Sequence, residues 1–189
     1  MLDPKRTIFF MCDVQKSLLN VVLDSENVTR RISNLLSLGK AIGIPLIVTE
    51  QYSKGLGNTV NNLDISHALC VVDKKTFSMY PGLIADKMKE FRDYVVVLFG
   101  LETHICVLQT ALQLIEDKYK VVIVADACSS QSAVDMRIAL KRLSSTGAII
   151  TTTESLLFEI IKTKDSPQFD LVRDMTKIHL PDHPALDKF

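Results

Sequence analysis

The chain has 189 residues with 22 Lys plus Arg against 22 Asp plus Glu, and a hydrophobic fraction of 47%. This is enough apolar side chain for one domain with a proper core. The balanced charge carries no electrostatic footprint of a nucleic-acid binder, and no apolar run reaches the length of a membrane span. The four cysteines, Cys12, Cys70, Cys106 and Cys128, lack CxxC spacing and read as neither a zinc site nor a disulfide frame. They suit a reducing compartment. The short, Asp3-containing start leads straight into an apolar run and reads as neither a signal peptide nor a transit peptide. The expected location is the cytoplasm, with a mitochondrial association left open.

In chain order, Thr7–Cys12 (TIFFMC) predicts a buried first strand with Asp13 just past its end. Asn27–Ile42 carries Val28, Ile32, Leu35 and Leu36 on one face and predicts a helix stopped by Gly43. Pro45–Glu50 is a second strand, and Gln51–Ser66, rich in Gly and Asn, a long loop. Ala68–Val72 predicts a third strand, followed by a polar turn over Asp73–Met79 and a helix over Leu83–Phe91. Tyr94–Phe99 is a fourth strand that Gly100 breaks, with a helix from about Thr103 to Asp117.

Val121–Ala125 predicts strand five with Asp126 at its end, then a helix over Ala133–Ser144 stopped near Gly147. Ala148–Thr152 is strand six, and Ser155–Lys162 and Gln168–Ile178 are the last helices. The tail, 179–189, holds Pro181 and Pro184 and is expected to be irregular. The whole chain, 1–189, reads as a single domain. Apolar strands alternating with helices predict an α/β fold whose parallel sheet is covered on both faces. Ligands bind such sheets beyond the carboxyl ends of the strands. The residues there are Asp13, Gln15, Glu50, Gln51, Tyr52, Asp73, Lys74, Glu102, Cys106, Asp126 and Thr153.

Three of these form a chemical set. Cys106 falls in the first turn of a helix, where partial positive charge and unpaired N–H groups favour a thiolate. Alone it reads equally as a small buried hydrophobe. Asp13 would take the thiol proton and return it to a leaving group, and Lys74 would hold both anions. Alone, Asp13 reads as a turn residue and Lys74 as a solvated charge. His104, two residues from Cys106 on a helix, does not face it and reads as a rim or surface residue. Cys12 and Cys70 read as core, Cys128 as structural rather than resolving, and His179 and His183 as solvated. Tyr52, Phe77, Tyr80, Leu101 and Ile105 read as either pocket or core.

Asp13-Val14-Gln15, Lys74-x-x-Phe77-Ser78 and Gly100-x-x-Thr103-x-x-Cys106-Val107-x-x-Thr110, in that order, resemble the isochorismatase-like cysteine hydrolases. VTEQYSKGLG (48–57) and DACSS (126–130) resemble the eukaryotic isochorismatase-domain subgroup. The resemblance covers nearly the whole chain. It implies a three-layer, Rossmann-like fold with a six-stranded parallel sheet in order 3-2-1-4-5-6 and helices on both faces. It implies a catalytic triad of Asp13, Lys74 and Cys106, with Lys75 the competing lysine. It also implies a cis peptide at Leu101–Glu102 and an oxyanion hole from the backbone N–H groups of Glu102 and Cys106. Gln15, Tyr52, Phe77, Leu101 and Ile105 would line a substrate pocket.

Nicotinamidases of that family hold a metal through an Asp-x-His pair after strand two. Here Glu50-Gln51-Tyr52 stands in its place, so no metal and no cofactor are expected. The expected activity is hydrolysis of a small-molecule C–N bond, amide or carbamoyl, by a cysteine nucleophile. The alternative is a non-catalytic or regulatory member acting through protein contacts. Expected partners are a small-molecule substrate and further copies of the chain, with no nucleic acid and no membrane.

Overall fold

The structure, a computed structural model, describes residues 2–187 and 189. Its centre is a sheet of six parallel strands in the order β3-β2-β1-β4-β5-β6. The strands are β1 (Thr7–Cys12), β2 (Leu46–Gln51), β3 (Ala68–Lys74), β4 (Val95–Leu101), β5 (Lys120–Ser129) and β6 (Ile149–Thr151). All six residues of β1 are buried. Successive strand side chains point to opposite faces, so both faces of the sheet are covered around β1. The helices around the sheet are α1 (Lys16–Leu19), α2 (Ser25–Ile42), α3 (Ser53–Leu56), α4 (Leu83–Met88), α5 (Leu108–Glu116), α6 (Ala133–Ser145), α7 (Thr153–Ile161) and α8 (Phe169–Thr176).

Phe9 shows why the layers close tightly. Its ring meets Phe99 of β4 edge to face, with centroids 5.7 Å apart. It also lies so near Gly39 of α2 that an added methyl there would sit 3.0 Å from the ring. Gly43 ends α2 in the left-handed conformation (φ 75°), where a side chain is strained. Ser132 and Thr152 cap α6 and α7 by accepting from Asp135 N and Ser155 N.

Several boundaries differ from the sequence reading. Gly100 does not end β4, which runs on to Leu101. It instead marks a register shift against β5 and a close approach to β1, since a Cβ there would overlap the carbonyl of Cys12. β3 extends through Asp73 and Lys74, and β5 runs to Ser129, which puts Asp126 inside the strand. Within the expected loop Gln51–Ser66, β2 reaches Gln51, α3 forms a single turn, and Gln15 bridges to Thr59. Cys70 is only half-buried, because β3 is an edge strand with one wet face.

The tail forms no helix or strand among its described residues, and Lys188 of the expected 179–189 segment lies outside them. It is nevertheless tied down. Arg31 of α2, itself buried, donates to the Pro181 carbonyl at 2.6 Å and pairs with Asp24 and Asp126, each at 3.3 Å. His183 is not solvated: only 2% of it is exposed. Its Nε2 faces Ser129 Oγ at 3.3 Å, and its Nδ1 accepts from Ala185 N. Periodicity cannot reveal such a contact, because its partner Ser129 belongs to β5, far away in the chain. His179 is exposed as expected. Among the described residues no helix is long and apolar enough to cross a membrane.

Candidate active site

The order of the sheet places β1 between β2 and β4, with β3 beyond β2. Residues at the carboxyl ends of these strands therefore converge. Asp13 follows β1 directly in a left-handed backbone conformation (φ 50°), which aspartate tolerates better than most residues. Its side chain is fully buried. One carboxylate oxygen accepts from Thr49 Oγ1 at 2.7 Å, and the other accepts from Lys74 Nζ at 2.7 Å.

Lys74 closes β3 and is 7% exposed, whereas Lys75 lies in the open. Lys74 is the last inward-facing position of β3, whereas Lys75 falls just past the strand in a bend open to solvent. The Lys74 ammonium also donates to Gln51 Oε1 at 2.6 Å and to the carbonyls of Phe77 (2.8 Å) and Thr76 (3.1 Å). Burial by itself would lower the ammonium's pKa. Cys12, Asp13 and Cys106 around it outweigh that and raise it above the ordinary lysine value, so Lys74 is held charged.

Cys106 lies in a π-helical turn, Thr103–Val107, that opens α5, rather than in a regular α-turn. Val107 N reaches back to the Glu102 carbonyl, five residues earlier. Such turns recur at functional sites. The peptide Leu101–Glu102 just before it is cis. Thr110 fixes the turn to the lysine loop, since its hydroxyl donates to the Cys106 carbonyl at 2.6 Å and accepts from Met79 N at 2.9 Å. The end of β5 braces the other side. Gln131 N donates to the Glu102 carboxylate at 3.0 Å, and Ser130 Oγ lies 2.9 Å from His104 Nδ1. His104 is thus engaged with Ser130.

The Cys106 sulfur, the Cys12 sulfur and an Asp13 oxygen all lie within 4.8 Å of one another. Among the described residues this is the one group of three such side chains spaced to hold an ion. An ion there would share Asp13 with the Lys74 ammonium, a like-charge neighbour. Glu50, where a metal pair would stand, is engaged otherwise: it accepts from Thr59 N at 2.7 Å and from Asn58 Nδ2. His67 packs beside Gly39 of α2.

The other expected site residues divide. Gln15 is buried, and its amide holds the 51–57 segment by donating to the carbonyls of Gln51 and Gly57 and accepting from Gln51 N. It positions that segment and has little capacity left for a ligand. Leu101 is fully buried. Tyr80 is buried too, with its hydroxyl on Asp117 at the far end of α5. Tyr52 and Phe77 are about half exposed, and Ile105 is half-buried beside Cys106. Asp126 and Thr153 pair with each other, the carboxylate capping α7 and facing Arg31, outside the triad. A surface cavity of about 480 Å³ between α1 and α2, lined by Lys16, Glu26 and Arg30 among others, contains none of Asp13, Lys74 and Cys106.

Of Thr49, Gln51 and Cys12, which surround these residues, the sequence places Gln51 at a strand end and Cys12 in the core but identifies none as a partner of Asp13, Lys74 or Cys106. A signal for the first two exists: they lie two apart at the end of β2, hence on one face, as polar side chains closing an apolar strand.

The isochorismatase domain model matches residues 7–155. Isochorismatase domain-containing protein 1 of Danio rerio is 40% identical over 188 residues, covering 99% of this chain and 66% of that protein. The chain therefore spans just under two thirds of that relative's length. Isochorismatase domain-containing protein 2A of Mus musculus is 34% identical, covering 98% of this chain and 90% of its own length. A structure described as the MAR1 ribonuclease of Caenorhabditis elegans superposes with a TM-score of 0.89 at 34% identity, covering 97% of this chain and 95% of its own. With the fold, the matched residues and the identity to these relatives in agreement, the chain belongs to the isochorismatase domain family, in its eukaryotic subgroup.

Proposed function

We propose that this protein is a cysteine-dependent hydrolase acting on a C–N bond, amide or carbamoyl, of a small molecule. The observation that supports this most is the buried Asp13–Lys74 pair with the Cys106 sulfur beside it. In this reading Asp13 takes the Cys106 proton, and the sulfur attacks the substrate carbonyl carbon. The backbone N–H groups of Glu102 and Cys106 stabilise the oxyanion. Asp13 then protonates the leaving nitrogen, and water attacks the acyl-enzyme with Asp13 again accepting a proton. Lys74 keeps the site's anions paired throughout. Tyr52, Phe77 and Ile105 contact the substrate, while Gln15 and Leu101 act from behind. The protein needs no metal or cofactor, works as a homo-oligomer, and resides in a reducing compartment that suits its four free cysteines.

A non-catalytic member acting through protein contacts is the alternative. A buried lysine–aspartate pair costs desolvation and is a weak source of stability, which favours the catalytic reading. The description of the nematode neighbour raises RNA cleavage as a further outcome. The one buried cation of the triad is engaged by Asp13 and Gln51, and the chain's net charge is zero. The deciding experiment is a screen of small amides, N-carbamoyl compounds and single-stranded RNA, with Cys106→Ala as the blank. Turnover of an amide or carbamoyl compound that disappears in Cys106→Ala is expected. Turnover of RNA alone, or turnover retained by Cys106→Ala, would overturn the proposal.

A further inference from the structure

The hydrolase chemistry leaves one nucleophile within the site without a role. Cys12 ends the central strand β1, and its sulfur lies within 4.8 Å of the Cys106 sulfur and of an Asp13 oxygen. Its backbone is paired on both sides, with Thr49 of β2 and Gly100 of β4. Gly100 has no side chain, and any Cβ there would collide with Cys12, so β4 closes directly onto this residue. Cys12 is therefore a fixed, completely buried thiol facing a second thiol on a helical turn. Cys70 and Cys128 stand outside this group.

We propose that Cys12 is a resolving thiol: a hydroperoxide oxidises Cys106, and Cys12 then closes a reversible Cys12–Cys106 disulfide. This rests on Cys106 being the reactive thiol of the proposed hydrolase. In the first step the Cys106 sulfur attacks one peroxide oxygen. The O–O bond breaks, and the leaving oxygen departs as water or an alcohol with the thiol's proton. Cys106 is now a sulfenic acid. In the second step the Cys12 sulfur attacks the Cys106 sulfur, the S–O bond breaks, and the departing hydroxide takes the Cys12 proton to leave as water. The two thiols have together given two electrons to the peroxide.

The geometry orders these steps. Cys106 is 5% exposed and Cys12 not at all, so an oxidant from solvent meets Cys106 first. Burial, then the hydrogen bond to Cys106 and the charge of Asp13, push the Cys12 thiol well above its ordinary value, which keeps it protonated and slow to react with an oxidant itself. The neighbouring Asp13 carboxylate is placed to pass the proton on. A disulfide needs its sulfurs about 2.05 Å apart, so closing it from the present separation, within 4.8 Å, requires the Cys106 turn to move toward the fixed end of β1. Closing the bond removes the nucleophile and spares it from irreversible sulfinic acid.

The test treats the reduced full chain with hydrogen peroxide, blocks free thiols with iodoacetamide, and maps peptides without reduction. The expected product joins the Cys12 and Cys106 peptides with the loss of two hydrogens, and dithiothreitol restores iodoacetamide labelling of Cys106. In Cys12→Ser and Cys12→Ala, dithiothreitol restores about tenfold less labelling, because Cys106 proceeds to sulfinic acid. Sulfinic Cys106 in the wild type with no linked peptide, or a link from Cys106 to Cys70 or Cys128, would overturn the proposal. The wild-type map decides this even if the Cys12 variants fold poorly. If untreated Cys106 is labelled but never linked, this proposal alone fails. If it is not labelled at all, the hydrolase reading fails with it.

Discussion

The ammonium of Lys74 lies 2.7 Å from a carboxylate oxygen of Asp13, and neither side chain is more than 6% exposed. The two come from opposite edges of a three-strand span, the end of β3 and the residue after β1, with β2 between them. Thr49 and Gln51 of β2 complete the set, one on the aspartate and one on the lysine. A buried charge pair with its remaining hydrogen bonds supplied in this way is sensitive to the loss of either member.

Replacing Lys74 with Met keeps most of the stem and removes the charge. The buried carboxylate loses its counter-ion, and breaking such a pair costs about 3–5 kcal/mol of stability. Alkylation of Cys106 by iodoacetamide at neutral pH should slow by about tenfold or more, each factor of ten being about 1.4 kcal/mol. Lys75→Met should change neither, since that side chain is exposed. Equal effects from the two variants would remove Lys74 from the triad.

The tail makes stability depend on acid pH through His183. Burial lowers its pKa below the ordinary 6.5, with Arg31 adding to the shift and Asp24 and Asp187 opposing it. The folded ring stays neutral where the unfolded one takes up a proton, so stability is full above pH 6.5 and falls as the pH drops below it. Urea unfolding followed by circular dichroism should show this loss in the wild type. His183→Gln should be less stable at neutral pH and flatter just below 6.5. Parallel curves for the two proteins would dismiss the ring as the cause.

At alkaline pH the buried Cys128 acts in the opposite direction. Burial pushes its thiol up from 9.0 to about 12. Above pH 9.0 the unfolded thiol ionises while the folded one does not, so stability declines until the pH reaches about 12. Cys128→Ala should lose packing at neutral pH and decline less steeply over that window. The check is the same unfolding experiment at alkaline pH, where an unchanged slope would count against the thiol.

Activity, once a substrate is found, should survive exhaustive dialysis against a chelator. Glu50 is engaged by Thr59 and Asn58, and the only three-ligand cluster among the described residues shares Asp13 with the Lys74 ammonium. Loss of activity that zinc or iron restores would show that a metal belongs in the mechanism.

Self-association is expected from α6, where Val134 and Ile138 stand four apart on one helix face and are 54% and 60% exposed. Light scattering at micromolar concentration should give a mass well above the 21.1 kDa of one chain. A value near that mass would return the protein to a monomer.

The apolar runs were enough to locate the six strands, and for the inner ones they determined the parallel packing, because a strand buried on both faces must be apolar at every position. TIFFMC is the clearest case. The spaced motifs after β1, β3 and β4 likewise named Asp13, Lys74 and Cys106, and the resemblance they carry anticipated the cis peptide at Leu101–Glu102. What the residues alone left open was decided by contacts between distant segments. Lys74 and Lys75 are chemically alike, and only the point at which an edge strand ends, between them, buries one and exposes the other. Gly100 reads as a strand end, yet its role is to let β4 approach Cys12, a neighbour far away in the chain. Gln15 looks like a ligand residue until the 51–57 segment folds back to occupy its amide. His183 looks solvated until the tail packs it against Ser129 of β5. Local patterning records how each segment buries its own side chains, whereas burial and partnership across the fold are set by which segments the sheet order makes neighbours.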